Sequence, residues 1–125
     1  MKVTAMHRVW IVLGALAGVT AVAMAAAASH ALTGLSPAML HATESAVQMQ
    51  GWHALALVAC GIWAERRPGF WTNAAGAAFA LGLILFCGAV YALALVGLQT
   101  GPLAPVGGTL LMLGWILLGI SALRA

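Results

Sequence analysis

Charge is what this 125-residue chain has least of. Five cations (Lys2, Arg8, Arg66, Arg67 and Arg124) face two acids (Glu44 and Glu65), so 6% of the residues are charged while 64% are hydrophobic. A soluble domain carries roughly 25% charged residues, so this chain cannot clothe a globule in water. Disorder is excluded as well, because it requires low hydrophobicity and high charge. The net charge of +3 rests on few cations with no extended run, which gives nucleic acid no basic stripe to bind. Cys60 and Cys87 fall inside apolar runs and form neither a disulfide framework nor a CxxC motif; they read as small buried hydrophobes. Paired catalytic carboxylates, nucleophile arrangements and glycine-rich phosphate loops are missing, which argues against an enzyme. What remains is an integral membrane protein.

A helix rises about 1.5 Å per residue, so about 20 apolar residues cross the hydrocarbon layer. Four such stretches stand out, near 9–32, 46–64, 73–98 and 106–123. Their length and the lack of period-2 alternation exclude a transmembrane barrel. The expected fold is an all-α membrane protein, one domain over 1–125 built as a four-transmembrane-helix bundle. With four crossings, every cation falls on one side, and the positive-inside rule places both termini in the cytoplasm of a bacterial inner membrane. Trp10, Trp63, Phe70 and Trp71 cluster near that same boundary, where indole rings favour the headgroup level, whereas Trp52 and Trp115 are expected to pack between helices. Residues 1–29 also resemble a signal peptide, but their apolar run is longer than a typical one. Ser36 and Pro37 form a helix start. The polar turns that follow, with His41, Glu44, Ser45 and Gln48, suit a short interfacial helical segment leading into the second span.

Lipid tails are as apolar as Leu, so helices in a bilayer associate through close packing of small residues. Gly14 and Gly18, spaced i and i+4, are the leading pair; Gly88, Gly107 and Gly108 are further candidates for helix contact.

Four stretches together carry a family likeness: Ser29-His30-Ala31-Leu32, the run from Ser45 through Gln50-Gly51-Trp52-His53 to Leu57, Leu85-Phe86-Cys87-Gly88-Ala89-Val90-Tyr91, and Pro105-Val106-Gly107-Gly108 followed by Gly114-Trp115. In order and spacing the chain resembles the small membrane proteins of domain of unknown function 423, related to transmembrane protein 256. This chain has Met49 where the family pattern has Tyr, and Cys87 and Ala89 where it has Ser. The resemblance implies a four-helix membrane protein and supplies no activity.

Strongly polar groups inside a span are costly and mark functional suspects. His30, Glu44, Gln48, Gln50, His53 and Tyr91 all fall in the outer half and form the candidate polar cluster. His53 and Tyr91 each lie about 10 Å inside their spans, so a hydrogen bond between them is geometrically possible. Gln50, three residues from His53, is expected on the same face. Haem is disfavoured because His30 and His53 sit at different depths, and zinc because His41 and Glu44 give two ligands where three or four are needed. The expectation is no cofactor and no metal, with the bilayer and other membrane subunits, or further copies of the chain, as partners. The leading reading is an accessory or structural membrane protein. The alternatives are a small oligomeric transporter or channel, and a lipid- or quinone-binding protein with an outer-half polar site.

Overall fold

A computed structural model describes residues 5–30 and 34–124. Among them lie four helices, α1 (Met6–His30), α2 (Pro37–Arg66), α3 (Phe70–Val96) and α4 (Leu103–Leu123), and no strand. The expected end of the first span at residue 32 and the N-terminal Lys2 fall outside the described residues.

α1, α3 and α4 are long and apolar enough to cross a membrane. α2 does not meet that measure, because His41, Glu44, Gln48, Gln50 and His53 dilute its first half. It is nevertheless the longest helix, at 30 residues, or about 45 Å of rise. The polar turns expected at the interface are the first turns of α2, continuous with its apolar part.

The helix ends have local causes. Ser36 caps α2 by accepting a hydrogen bond from the Met39 N–H at 3.2 Å, with Pro37 in the first turn. At the end of α3, Gly97 adopts the left-handed conformation (φ 68°), which returns its N–H to the carbonyls of Ala92 and Leu93.

The helices clasp in antiparallel pairs through glycine. A Cβ on Gly14 would stand 2.7 Å from the Ala54 carbonyl oxygen, and one on Gly61 the same distance from the His7 carbonyl oxygen. Gly107 approaches the Phe86 and Gly82 backbones, and Gly114 takes the Phe79 ring, at 2.6 Å from where its Cβ would be. α1 thus lies on α2, and α4 on α3, with α2 against α3 as the seam between the pairs. The core along that seam contains Leu57, Cys60, Phe79 and Leu111.

Within the chain, three of the expected glycines make no close helix contact. Gly18 and Gly88 meet nothing within 4 Å, and Gly108 makes only an ordinary contact with the Phe86 ring at 3.8 Å. Beyond Gly14 the α1 face that continues inward is Ala17, whose carbonyl accepts from the Gln50 side chain, and the buried Ala21 rather than Gly18.

One end of the bundle is tied by aromatic side chains. Trp10 Nε1 donates to Asn73 Oδ1 at 2.9 Å, Trp63 Nε1 donates to Ser121 Oγ at 3.0 Å, and the Arg124 guanidinium lies 5.3 Å from the centre of the Trp71 ring. These contacts bring the start of α1, the end of α2, the start of α3 and the end of α4 together, and with them Arg8, Arg66, Arg67 and Arg124. Trp10 is not a headgroup anchor: it is 6% exposed and fills the space left by Gly76. Trp52, expected between helices, is 56% exposed, because α2 turns that position away from its neighbours. Trp115 is half-exposed, with one edge packed against Phe79 and His53.

Candidate functional site: a polar lock beside an apolar groove

α1 and α3 barely touch, and a groove of about 520 Å³ opens between them. That volume lies within the range of small-ligand sites, about 300–1,000 Å³. Leu13 and Leu16 form one wall, Leu83 and Ile84 the other, and Leu57 of α2 contributes from between. Its polar lining consists of Thr20, Gln50, Cys87 and Tyr91.

Gln50 organises this lining. Its amide N–H₂ donates to the Ala17 carbonyl at 2.9 Å and to Thr20 Oγ1 at 2.6 Å, while its Oε1 accepts from the Tyr91 hydroxyl at 2.7 Å. Thr20 in turn donates to the Leu16 carbonyl one turn back, at 2.9 Å. Three helices are thereby joined through one buried side chain. Every N–H and O–H in the network is committed, so only lone pairs on Gln50, Thr20 and Tyr91 remain for a third group. The arrangement accepts a hydroxyl donor and has no free proton of its own to give a carbonyl. Cys87, where the family resemblance leads one to expect Ser, donates its thiol to the buried Ala46 carbonyl at 3.4 Å. Among the described residues no buried side-chain nitrogen or oxygen lacks a partner.

His53 belongs to a different contact. Its Nδ1 pairs with the Met49 carbonyl at 2.6 Å, and its Nε2 accepts from Trp115 Nε1 at 3.0 Å. A carbonyl accepts only and an indole N–H donates only, so the neutral Nδ1–H tautomer fits both bonds.

The expected polar cluster is therefore split. Gln50 and Tyr91 come together. The His53–Tyr91 bond that their similar depth would allow is absent, because three residues of helix rotate His53 by about 60° from Gln50, towards α4. His30, Glu44 and Gln48 are exposed, outside the Gln50 network. Thr20 and Trp115 are the partners that sequence reasoning passed over. Thr20 had a signal: it is an isolated hydroxyl in the apolar stretch 11–28. Among the described residues no group of three or more His, Cys, Asp or Glu side chains is placed to hold a metal ion.

Comparison with known proteins finds relatives named as membrane proteins. The family model described as "Protein of unknown function (DUF423)" matches residues 24–108. The chain is 34% identical to UPF0382 membrane protein SH2409 of Staphylococcus haemolyticus, over 94% of this chain and 97% of that protein. It is 30% identical to the UPF0382 inner membrane protein YgdD of Escherichia coli, over 94% of this chain and 91% of that protein. No solved structure matches.

Proposed function

The chain belongs to the DUF423 family of small membrane proteins, and from that premise we propose that it is a non-catalytic accessory protein of the bacterial inner membrane that seats a lipid-type chain in the groove between α1 and α3. The groove carries this reading. Its walls are aliphatic, its volume of about 520 Å³ suits a single flexible chain, and its polar lining offers acceptors to a hydroxyl at the chain's head. That acceptor pattern favours a hydroxyl-bearing lipid over a quinone, whose carbonyls need donors. Four crossings with both ends cytoplasmic are supported by the antiparallel clasp of α2 along α1 and by the cations at one end of the bundle. α2 runs beside a helix that is itself apolar enough to span, so it shares that helix's depth. The large apolar side chains exposed on α1 and α4, such as Val19, Val22, Met112 and Ile116, are suited to lipid and to the helices of partner subunits.

Gly88 supplies the test. It lines the groove and nothing lies within 4 Å of where its Cβ would be, so the side chain of Gly88→Phe has room to start into the groove and occupy it. Native mass spectrometry of protein released gently from membranes is expected to find a retained lipid on the wild-type chain, and none on Gly88→Phe at equal helical content. Equal retention by both chains, or none by either, would refute the reading.

A further inference from the structure

A second cleft, of about 290 Å³, lies at the cation-bearing end of the bundle, between the α2–α3 turn and the last turn of α4. Arg66 and Arg67 line it from the end of α2, and Arg124 from the end of α4; no Asp or Glu is among its lining residues. The turn is held in shape by the Thr72 hydroxyl, which donates to the Arg67 carbonyl at 3.1 Å. Arg124 is oriented by its position over the Trp71 ring. The positive-inside rule accounts for cations on this side of the membrane. It does not by itself call for three arginines from two helix ends to line one concavity with no acid among the lining residues.

We propose that this cleft binds the phosphate of an anionic phospholipid. Guanidinium forks match phosphate oxygens in pairs, and basic pockets at helix ends are suited to such headgroups. The surroundings select a lipid over a free anion: Phe70, which lines the cleft, and Leu123, which precedes Arg124, are 74% and 87% exposed and offer apolar surface to the acyl chains. A zwitterionic headgroup brings its own ammonium, which the three arginines repel. The inference is independent of the α1/α3 groove, whose filling by Gly88→Phe leaves this cleft intact.

The test uses the full chain in vesicles of phosphatidylethanolamine with a minor share of phosphatidylglycerol, and reads by native mass spectrometry which lipid stays bound. The wild-type chain is expected to retain phosphatidylglycerol selectively. Arg124→Gln is expected to lower that retention about tenfold, and Trp71→Leu, which leaves every charge and hence the topology unchanged, about threefold. Arg8→Gln, which removes a charge from the same end but outside the cleft, is expected to leave retention unchanged. Inorganic phosphate and glycerophosphate are expected not to displace the lipid. Equal losses in Arg8→Gln and Arg124→Gln would reduce the effect to surface charge. Full retention in Trp71→Leu, or displacement by inorganic phosphate, would likewise overturn the proposal.

Discussion

Tyr91 and Gln50, 41 residues apart in sequence, meet through a hydrogen bond of 2.7 Å that joins α3 to α2, while the same Gln50 amide holds α1. One side chain thus locks three helices where α1 and α3 themselves barely touch. Gln50→Leu removes the centre and leaves the Tyr91 hydroxyl without its partner. The expected cost is about 1–2 kcal/mol, and that of Tyr91→Phe about 0.5–1.5 kcal/mol. The double variant is expected to cost less than the sum of the two, by about 1 kcal/mol. Reversible unfolding in mixed micelles measures all four corners of the cycle; strict additivity would mean that the bond contributes nothing to stability.

The glycines separate into those that carry an interface and those that do not. A Cβ on Gly107 would collide with the Phe86 backbone, which cannot yield as a flexible side-chain tip can. Gly107→Ala is therefore expected to destabilise the α3/α4 clasp by about 1–3 kcal/mol. Gly18→Ala faces open space and is expected to be neutral or to stabilise α1 by up to about 1 kcal/mol. Thermal denaturation of the two variants side by side reads the difference. A loss in Gly18→Ala matching that in Gly107→Ala would contradict the packing described.

How much of this was legible before the structure follows from the physics of each feature. Composition and the four apolar runs carried the helices, because a bilayer requires backbone groups to be satisfied within each span. The start of α2 was legible because Ser36 and Pro37 act locally. Rotation about the helix axis was not: depth arithmetic put His53 and Tyr91 level with each other, but only the azimuth decides that Gln50 faces Tyr91 and His53 faces Trp115. The glycine stripe was half-legible for a related reason. Gly14 and Gly18 have the same spacing as a packed pair, yet spacing does not fix which of the two faces the neighbouring helix: Gly14 meets the Ala54 carbonyl and Gly18 faces open space. Trp10 was assigned to the interface from its position near a chain end; the vacancy that receives it is created by Gly76, on another helix.

His53 yields a prediction about protons. Its Nε2 accepts from Trp115 and its Nδ1 faces a carbonyl, so the ring is expected to be a neutral Nδ1–H tautomer. Nitrogen-15 spectra of selectively labelled His53 in bilayers distinguish that form from the Nε2–H tautomer and from imidazolium. Trp115→Phe keeps the ring packing on Phe79 but removes the donor, with an expected cost of about 1 kcal/mol. An Nε2–H signal in the wild-type chain would exclude the Trp115 bond.

The proposed topology makes the sharpest demand on the connections between helices. Trp10–Asn73, Trp63–Ser121 and Arg124–Trp71 gather four helix ends and four arginines at one end of the bundle, which leaves the α3–α4 connection at the other. If the arginine end is cytoplasmic, a cysteine replacing Pro68 in the α2–α3 turn is shielded from a membrane-impermeant thiol reagent added to intact spheroplasts. One replacing Gln99, an exposed residue of the α3–α4 connection, reacts freely. The native Cys60 and Cys87 are buried and provide a silent background. Disrupting the membrane is expected to make the residue-68 variant reactive while leaving the residue-99 signal unchanged. A helix pair that only lay on the surface would label both positions from the same side. The opposite orientation would exchange the two patterns, placing four arginines outside against the electrostatic preference that orients membrane proteins.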